Sequence, residues 1–223
     1  MDTLMAMRYA KERGAKIFSV CNTNGSTIPR ESDAVLYTHA GPEVAVASTK
    51  AFATQLVAMY LIGLHIGRAR SAISNPEAKA IEAELAELPA KIEQVLETVE
   101  PLRELTRKFK DSSSMLFLGR HVGYPTALEG ALKLKELAYM HAEGFAGGEL
   151  KHGPIALIDQ GTPVVAIMPS EGSLLAEKMA SNIQEVKARG ARVIAIADAP
   201  LPIAEHTIRI PRSHEFLQSV LAV

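Results

Sequence analysis

The chain has 223 residues, of which 48% are hydrophobic and 22% charged, and its formal net charge is -1. This balance is that of a globular protein with enough apolar side chains for one or two cores, and it lacks the basic excess expected of a protein that binds nucleic acid or a membrane surface. Cys21 is the only cysteine, which excludes an intrachain disulfide and a cysteine-based metal cage and predicts a reducing, cytoplasmic compartment.

Two distant segments share one pattern. "AKERGAKIFSVCNT" (10–23) and "VKARGARVIAIADA" (186–199) each predict a helix that ends at a glycine and is followed by a short apolar strand. Glycine can adopt the left-handed conformation that closes a helix, and a continuous apolar strand is typical of a sheet covered on both faces. The repeat indicates an α/β protein with two units, each built on a parallel sheet flanked by helices.

The two copies contain different parts of the predicted unit. The earlier copy begins at its helix and continues through a strand (34–41) into a long apolar helix (48–70), which we expect to be buried rather than to span a membrane. The later copy has the opening strand (162–169) but stops soon after its last strand (206–211). We therefore expect both units to be incomplete and the chain to be a piece of a longer protein.

Residues 75–114, between the units, predict a helical linker. Proline lacks a backbone donor and clashes with the preceding turn, so Pro89 and Pro101 are expected to divide it. The predicted organisation is a first unit at 1–74, the linker, and a second unit at 115–223. Apolar side chains recur along the linker at three- and four-residue intervals: Ile81, Leu85, Leu88, Ile92, Leu96, Val99, Leu102 and Leu105.

The helix predicted from about Thr126 to Met140 carries an ionisable ridge. Glu129, Lys133 and Glu136 recur at i, i+4 and i+7 and share one narrow face. One interpretation is an exposed ridge stabilised by Glu–Lys pairs, at about 0.2–0.5 kcal/mol per pair. The other is an active site, because the ridge begins after a strand and ligands of parallel sheets bind beyond the carboxyl ends of strands.

A glycine-rich segment, "GFAGGELKHGP" (144–154), follows this helix. Its glycines allow the backbone to approach a ligand closely, and His152 can transfer protons at neutral pH. We expect no metal site, because His141 and His152 lie across a loop without a tight pattern of further ligands. No cofactor is expected either.

Two longer segments resemble one family. "ALEGALKLKELAYMHAEGFAGGELKHGPIALID" (127–159) and "VCNTNGSTIPRESDAVLYTHAGPEVAVASTKAFATQL" (20–56) are similar to the isomerase part of the glutamine–fructose-6-phosphate aminotransferase family, which consists of two sugar-isomerase (SIS) domains. The resemblance runs along essentially the whole chain. "ASTKAF" and "GELKHGP" are together its most specific motifs.

The resemblance implies a transferase that makes glucosamine 6-phosphate, a precursor of UDP-N-acetylglucosamine, from fructose 6-phosphate and ammonia released by a separate glutaminase domain. It implies that Glu136 is the base that moves a proton between C1 and C2 of the sugar. It further implies that His152 assists ring opening and, in a homodimer, reaches the neighbouring subunit's site, and that Lys133 lies near Glu136. A sugar-phosphate substrate is implied, without a nucleic-acid or membrane partner.

Three further positions are predicted to contact the sugar. Val46 and Ser48 match sugar-contacting positions of the family, and Glu129 is grouped with them as a substrate-binding residue. Ser48 is also a good helix N-cap, a structural role that would by itself explain the serine.

The resemblance also implies that the family's phosphate-binding loop falls just before Met1 and that its Schiff-base lysine falls beyond Val223. The chain alone is therefore expected to be inactive or nearly so. Two alternatives stay open at this point: a regulatory SIS module that binds phosphosugars without turnover, and another SIS phosphosugar isomerase or deaminase. A sensor would need neither Glu136 nor His152, and "ASTKAF" favours the synthase.

Overall fold

The computed structural model describes all residues from Met1 to Val223 and divides into two compact units, Met1–Ala78 and Lys79–Val223. The helices are α1 (Asp2–Glu12), α2 (Thr27–Glu31), α3 (Lys50–Ala69), α4 (Asn75–Leu96), α5 (Val99–Thr106), α6 (Gly123–Ala138), α7 (Leu174–Ala188) and α8 (Glu215–Ala222). The strands are β1 (Phe18–Cys21), β2 (Ala34–Tyr37), β3 (Ser114–Gly119), β4 (His141–Ala146), β5 (Pro163–Ile167), β6 (Arg192–Ala197) and β7 (His206–Arg209). Short 3-10 turns cover Arg107–Phe109, Gly147–His152 and Pro154–Leu157.

The first unit has a sheet of two parallel strands, β1 and β2, with Phe18 opposite Ala34. Its long helix α3 is apolar, but only Ala58 and Leu64 are buried within it, while other apolar side chains of α3 are exposed. The expectation that this helix is buried is therefore wrong for the chain as it stands. No helix is both long enough and apolar enough to cross a membrane.

The second unit has five parallel strands in the order β4-β3-β5-β6-β7. Side chains alternate between its two faces, as the period of a strand requires. Leu116 and Leu118 of β3 belong to a core with Met179 of α7, whereas Met115 and Phe117 belong to a second core with α5 and α6. Both faces of the central strands are covered, as the continuous apolar runs predicted.

The repeated helices end as the sequence predicts. Gly14 follows α1 at φ +82°, and Gly190 follows α7 at φ +93°, so both adopt the left-handed conformation. Their surroundings differ: a Cβ added at Gly14 would meet nothing within 4 Å, whereas one at Gly190 would lie 2.9 Å from the Cα of Gln160.

From Lys79 onward, the linker helices belong to the second unit. Leu105 and Phe109 lie in the same core as Met115, so α5 and the 3-10 turn after it cover one face of the sheet. The prediction that Pro89 divides the linker is wrong, because α4 continues through it. Proline removes a single backbone donor, and the neighbouring Leu88 is buried, so packing supports the helix at this point.

Strand β4 was not predicted, because its sequence "HAEGFA" lacks the β-branched residues typical of strands. Tertiary contacts specify it instead. It pairs with β3, with Ser114 opposite His141, and α6 lies against it so closely that a Cβ on Gly144 would be 2.9 Å from the Cα of Leu128. The glycine-rich segment therefore begins as an edge strand and becomes a turn only at Gly147.

Candidate active site

The ionisable ridge of α6 is a connected group. Lys133 Nζ lies 3.0 Å from Glu129 Oε1 and 2.9 Å from Glu136 Oε2. The exposed fractions of the three side chains are 13% for Glu129, 19% for Lys133 and 32% for Glu136. One ammonium is thus held between two carboxylates on a half-buried face, whereas a solvated ridge would leave all three side chains exposed.

The charge of Lys133 is fixed by its neighbours. Its hydrogen bond to Glu136 is the main cause that raises the pKa of Lys133 above its ordinary value; burial opposes this, and Glu129 adds to the increase. Lys133 is therefore a permanent cation at neutral pH. Lys133 Nζ donates a hydrogen bond to Oε2 of Glu136. Oε1 of the same carboxylate makes no hydrogen bond within the chain and is free to accept a proton.

Along α6, the ridge runs from the carboxyl edge of the sheet towards its amino edge. Strands β3 and β4 are parallel, so α6 runs back between them, and its last residue, Ala138, leads into the first residue of β4, His141. Glu136 therefore lies at the amino edge of the sheet. The sequence-based expectation placed the ridge at the carboxyl edge, and this holds only for the start of α6.

His152 lies at the other end of β4. It ends the 3-10 turn Gly147–His152, is exposed, and makes no hydrogen bond or ion pair within the chain. The six residues of β4 separate it from Glu136, a length of roughly 20 Å at the usual rise of a strand. The structure joins Glu129, Lys133 and Glu136 but does not bring His152 to them.

Val46 and Ser48 belong to the first unit, in the segment between β2 and α3. Val46 is 92% exposed, and Ser48 is half-buried without a hydrogen bond in the chain. The N-cap of α3 is Thr49, so the interpretation of Ser48 as a helix cap is wrong.

Glu43 caps this helix and was missed by sequence reasoning. Its carboxylate accepts hydrogen bonds from the backbone N–H groups of Ala51, at 3.0 Å, and Thr49, at 3.3 Å. The N–H of Ala51 is the main cause that holds the pKa of the Glu43 carboxyl below its ordinary value. Glu43 stands well outside the spacing of a capping box, so no local pattern could have predicted its role.

A cavity of about 590 Å³ in the second unit lies elsewhere and is apolar. It is formed by α5, the sheet and the end of α8, with Leu102, Phe109 and Ile194 among its lining side chains. No acidic or histidine side chain lines this cavity. The chain contains no group of three or more His, Cys, Asp or Glu side chains arranged to hold a metal ion.

The parallel sheets flanked by helices and the repeated helix–glycine–strand pattern define a class of protein. A family model described as the SIS domain matches residues 1–64 and 108–222. The chain belongs to the SIS-domain family.

The relatives are more specific. The chain is 59% identical to the glutamine–fructose-6-phosphate aminotransferase [isomerizing] of Streptomyces coelicolor, over 100% of this chain and 37% of that protein. It is also 58% identical to the enzyme of the same name from Corynebacterium diphtheriae, again over 37% of its length. The chain therefore spans little more than a third of these relatives.

Solved structures agree with this placement. The C-terminal domain of glucosamine-fructose-6-phosphate aminotransferase from Francisella tularensis matches with a TM-score of 0.93 and 36% identity, covering 99% of this chain and 63% of that one. A glucosamine-6-phosphate deaminase from Thermotoga maritima matches with a TM-score of 0.67 and 24% identity, covering 98% of this chain and 62% of that one. The second likeness is one of fold alone.

Proposed function

We propose that this chain is the isomerase part of an enzyme that makes glucosamine 6-phosphate from fructose 6-phosphate and glutamine-derived ammonia. The observation that supports it most is the Glu129–Lys133–Glu136 group, in which a half-buried carboxylate has one oxygen held by an ammonium and the other free. The identity of 59% over the whole chain favours this enzyme over a phosphosugar sensor or a deaminase.

Glu136 is the proton carrier of the proposed reaction. Its free oxygen, Oε1, takes the proton from C1 of the open-chain sugar with a protonated imine at C2; the C–H electron pair forms a C1–C2 double bond, and the C2=N pair moves onto the nitrogen. The same carboxyl group then returns the proton to C2, where the electrons of the double bond form the C2–H bond, while the C1 hydroxyl releases its proton and becomes the aldehyde carbonyl. Lys133 holds the carboxylate in place through Oε2. Because Glu136 is 32% exposed in this unit, water must be excluded by other parts of the full-length protein.

Two subunits complete the proposed site. Ring opening requires a second proton carrier, for which His152 is the candidate, but His152 and Glu136 lie at opposite ends of β4. We infer a homodimer in which His152 of the partner subunit serves the site of Glu136. A two-fold arrangement makes this exchange reciprocal, so each subunit gives one histidine and receives one.

Val46, Ser48 and Glu129 are proposed to bind the sugar. Glu129 is bonded to Lys133 and so shares the ridge with the proton carrier. Ser48 has no capping role and no partner in the chain, so its hydroxyl is available to a sugar hydroxyl.

Substitution in the full-length enzyme tests the role of Glu136. Glu136→Gln keeps the shape and a hydrogen bond to Lys133 but removes the base, so we expect formation of glucosamine 6-phosphate to fall by about 10²–10⁴-fold with fructose 6-phosphate binding retained. Glu143→Gln is the matched control, because Glu143 is a half-buried carboxylate that pairs only with His141. Near-normal turnover by Glu136→Gln would contradict the proposal, and a wild-type enzyme that binds the sugar without turnover would favour the sensor.

Mixed dimers test the exchange of His152. Glu136→Gln and His152→Ala subunits are each expected to be inactive, but a dimer with one of each has one site with both groups intact. Random mixing should therefore restore activity at about a quarter of all sites, on two-fold symmetry. If His152 served its own subunit, mixing would restore nothing.

A further inference from the structure

The turn that carries His152 is anchored in the hydrophobic core through Leu150. Leu150, two residues before His152, is fully buried against Met179 and Ile183 of α7. The burial of Leu150 fixes the middle of the segment 147–153. It does not fix the first residues of the segment or the residues next to His152.

The surroundings of the two ends of this segment are connected through one buried asparagine. Asn182 of α7 is 5% exposed. Its Oδ1 accepts a hydrogen bond of 2.9 Å from Arg120 Nε, and its Nδ2 donates to Glu185 Oε2 at 3.4 Å. The side-chain amide thus connects a cation at the end of β3 to an anion one turn along α7.

The glycine that starts the turn packs directly on this pair. Arg120 and Gly147 leave the sheet side by side, because Gly119 and Ala146 are opposite each other in β3 and β4. A Cβ on Gly147 would lie 2.7 Å from Asn182 Oδ1 and 3.2 Å from Arg120 Cγ. Only a glycine allows the turn to sit this close to the amide.

The end of the turn is held through Glu185. Lys151, the residue before His152, places its Nζ 3.0 Å from Glu185 Oε1. Asn182 therefore contacts the start of the turn, and through Glu185 it connects to the residue next to the histidine. A buried asparagine inside a helix is costly unless its amide is satisfied, and an apolar residue would suit a position beside Ile183 better.

We propose that Asn182 is a positioning residue that, with Arg120 and Glu185, fixes the 147–153 turn so that His152 is presented in one orientation. This proposal rests on the proposed function, in which His152 carries a proton for ring opening. Asn182 acts through the turn and touches neither sugar nor reacting atoms.

Hydrogen exchange in the full-length enzyme tests the structural part. In Asn182→Ala the amides of 147–153 should exchange about tenfold faster, because Arg120 loses a buried acceptor and the turn loses its support. Ser173→Ala is the matched control: it removes the cap that accepts from the Ala176 N–H and so weakens the same helix α7 without touching the turn. Its turn should exchange at the wild-type rate.

A double-mutant cycle with His152→Ala tests the catalytic part. Asn182→Ala should lower kcat about ten- to a hundredfold, with KM within about twofold of wild type, because a displaced proton carrier affects the transition state more than binding. In the His152→Ala background the same change should lower kcat no further. Glu185→Gln, which keeps the acceptor for Asn182 and loses the ion pair to Lys151, should show the same pattern more weakly.

Unchanged exchange of 147–153 in both Asn182→Ala and Glu185→Gln would overturn the inference, as would an equal loss of kcat with and without His152. A wild-type full-length enzyme that forms no glucosamine 6-phosphate would instead refute the proposed function, and the exchange rates would then decide the role of Asn182 in holding the turn.

Discussion

The two units share a helix–glycine–strand pattern but differ in how far they use it. In the second unit, β6 follows Gly190 into a sheet of five strands whose central members are buried on both faces. In the first unit, β1 follows Gly14 into a sheet of two strands in which no residue is fully buried. The difference teaches that the pattern specifies local structure, whereas stability depends on how many neighbours the strand has.

The contrast extends to the helices. Helix α3 of the first unit leaves Met59, Leu61 and Ile66 exposed, whereas α7 of the second unit buries Met179 and Ile183 completely. A two-stranded sheet with a partly covered helix is marginally stable by itself. We expect the second unit to dominate the unfolding of this 223-residue chain.

The largest expected effect concerns the sheet interior. Leu118→Ala in β3 removes a side chain with no exposed area and should lower the free energy of unfolding of the second unit by about 3 kcal/mol. Val20→Ala in β1 changes a half-buried side chain and should cost about 1 kcal/mol or less. Urea unfolding, monitored by hydrogen exchange in each sheet, measures both changes in the free energy of unfolding. Equal destabilisation by the two variants would contradict the comparison.

The glycines that end the repeated helices provide a smaller, matched test. In Gly14→Ala the added methyl group contacts nothing within 4 Å, so only the strain of a left-handed alanine remains. It should lower the free energy of unfolding by about 1 kcal/mol. Gly190→Ala adds a clash with Gln160 and should cost a further 1–3 kcal/mol or so. Thermal unfolding of the two variants measures the difference, and a larger loss for Gly14→Ala would contradict the packing described.

The smallest effect is expected at acid pH. Hydrogen bonds from Lys91 and then Ser213 lower the pKa of the Glu84 carboxyl from its ordinary value of 4.5 in the second unit. A lowered pKa stabilises the fold above that value, and this stabilisation is lost as the pH falls through the folded-state pKa. Glu84→Gln should remove roughly 0.5 kcal/mol of it, since the carboxylate is partly exposed and screened.

Urea midpoints near neutral pH and at about pH 3 measure this effect. In wild type the midpoint of the second unit should drop on acidification, and in Glu84→Gln it should drop less. Asp33→Asn is the counterpart in the first unit, where the Ile17 N–H is the main cause that lowers the pKa of the Asp33 carboxyl. The lysine that pairs with Asp33, Lys16, is 89% exposed, whereas Lys91 beside Glu84 is 13% exposed. The Asp33 variant should therefore change the pH dependence least, since a solvated partner is more strongly screened, and the opposite ranking would count against the comparison.

Local features were predictable from the sequence, and long-range ones were not. The spacing of Glu129, Lys133 and Glu136 predicted their shared face, and Gly14 and Gly190 predicted the helix ends, because each involves neighbours within a few residues. Which edge of the sheet Glu136 occupies depends on the direction of α6, which becomes evident only once β4 is recognised as a strand.

Polar contacts between distant residues had no local signal. Asn182 and Arg120 are 62 positions apart, and Glu84 and Ser213 are 129 apart. Strand β4 was missed for the same reason, since pairing with β3 and packing by α6 override its weak strand propensity. The sequence therefore predicted the shared face of Glu129, Lys133 and Glu136 but not the contact between Asn182 and Arg120.

The length of β4 has a consequence for how such an enzyme responds to dilution. Under the proposed exchange of His152 between subunits, a lone subunit has Glu136 at one end of β4 and His152 at the other, and it completes neither of the two sites to which these residues belong. Specific activity should then fall as the protein is diluted below the concentration at which its subunits separate, and it should recover on concentration without any refolding.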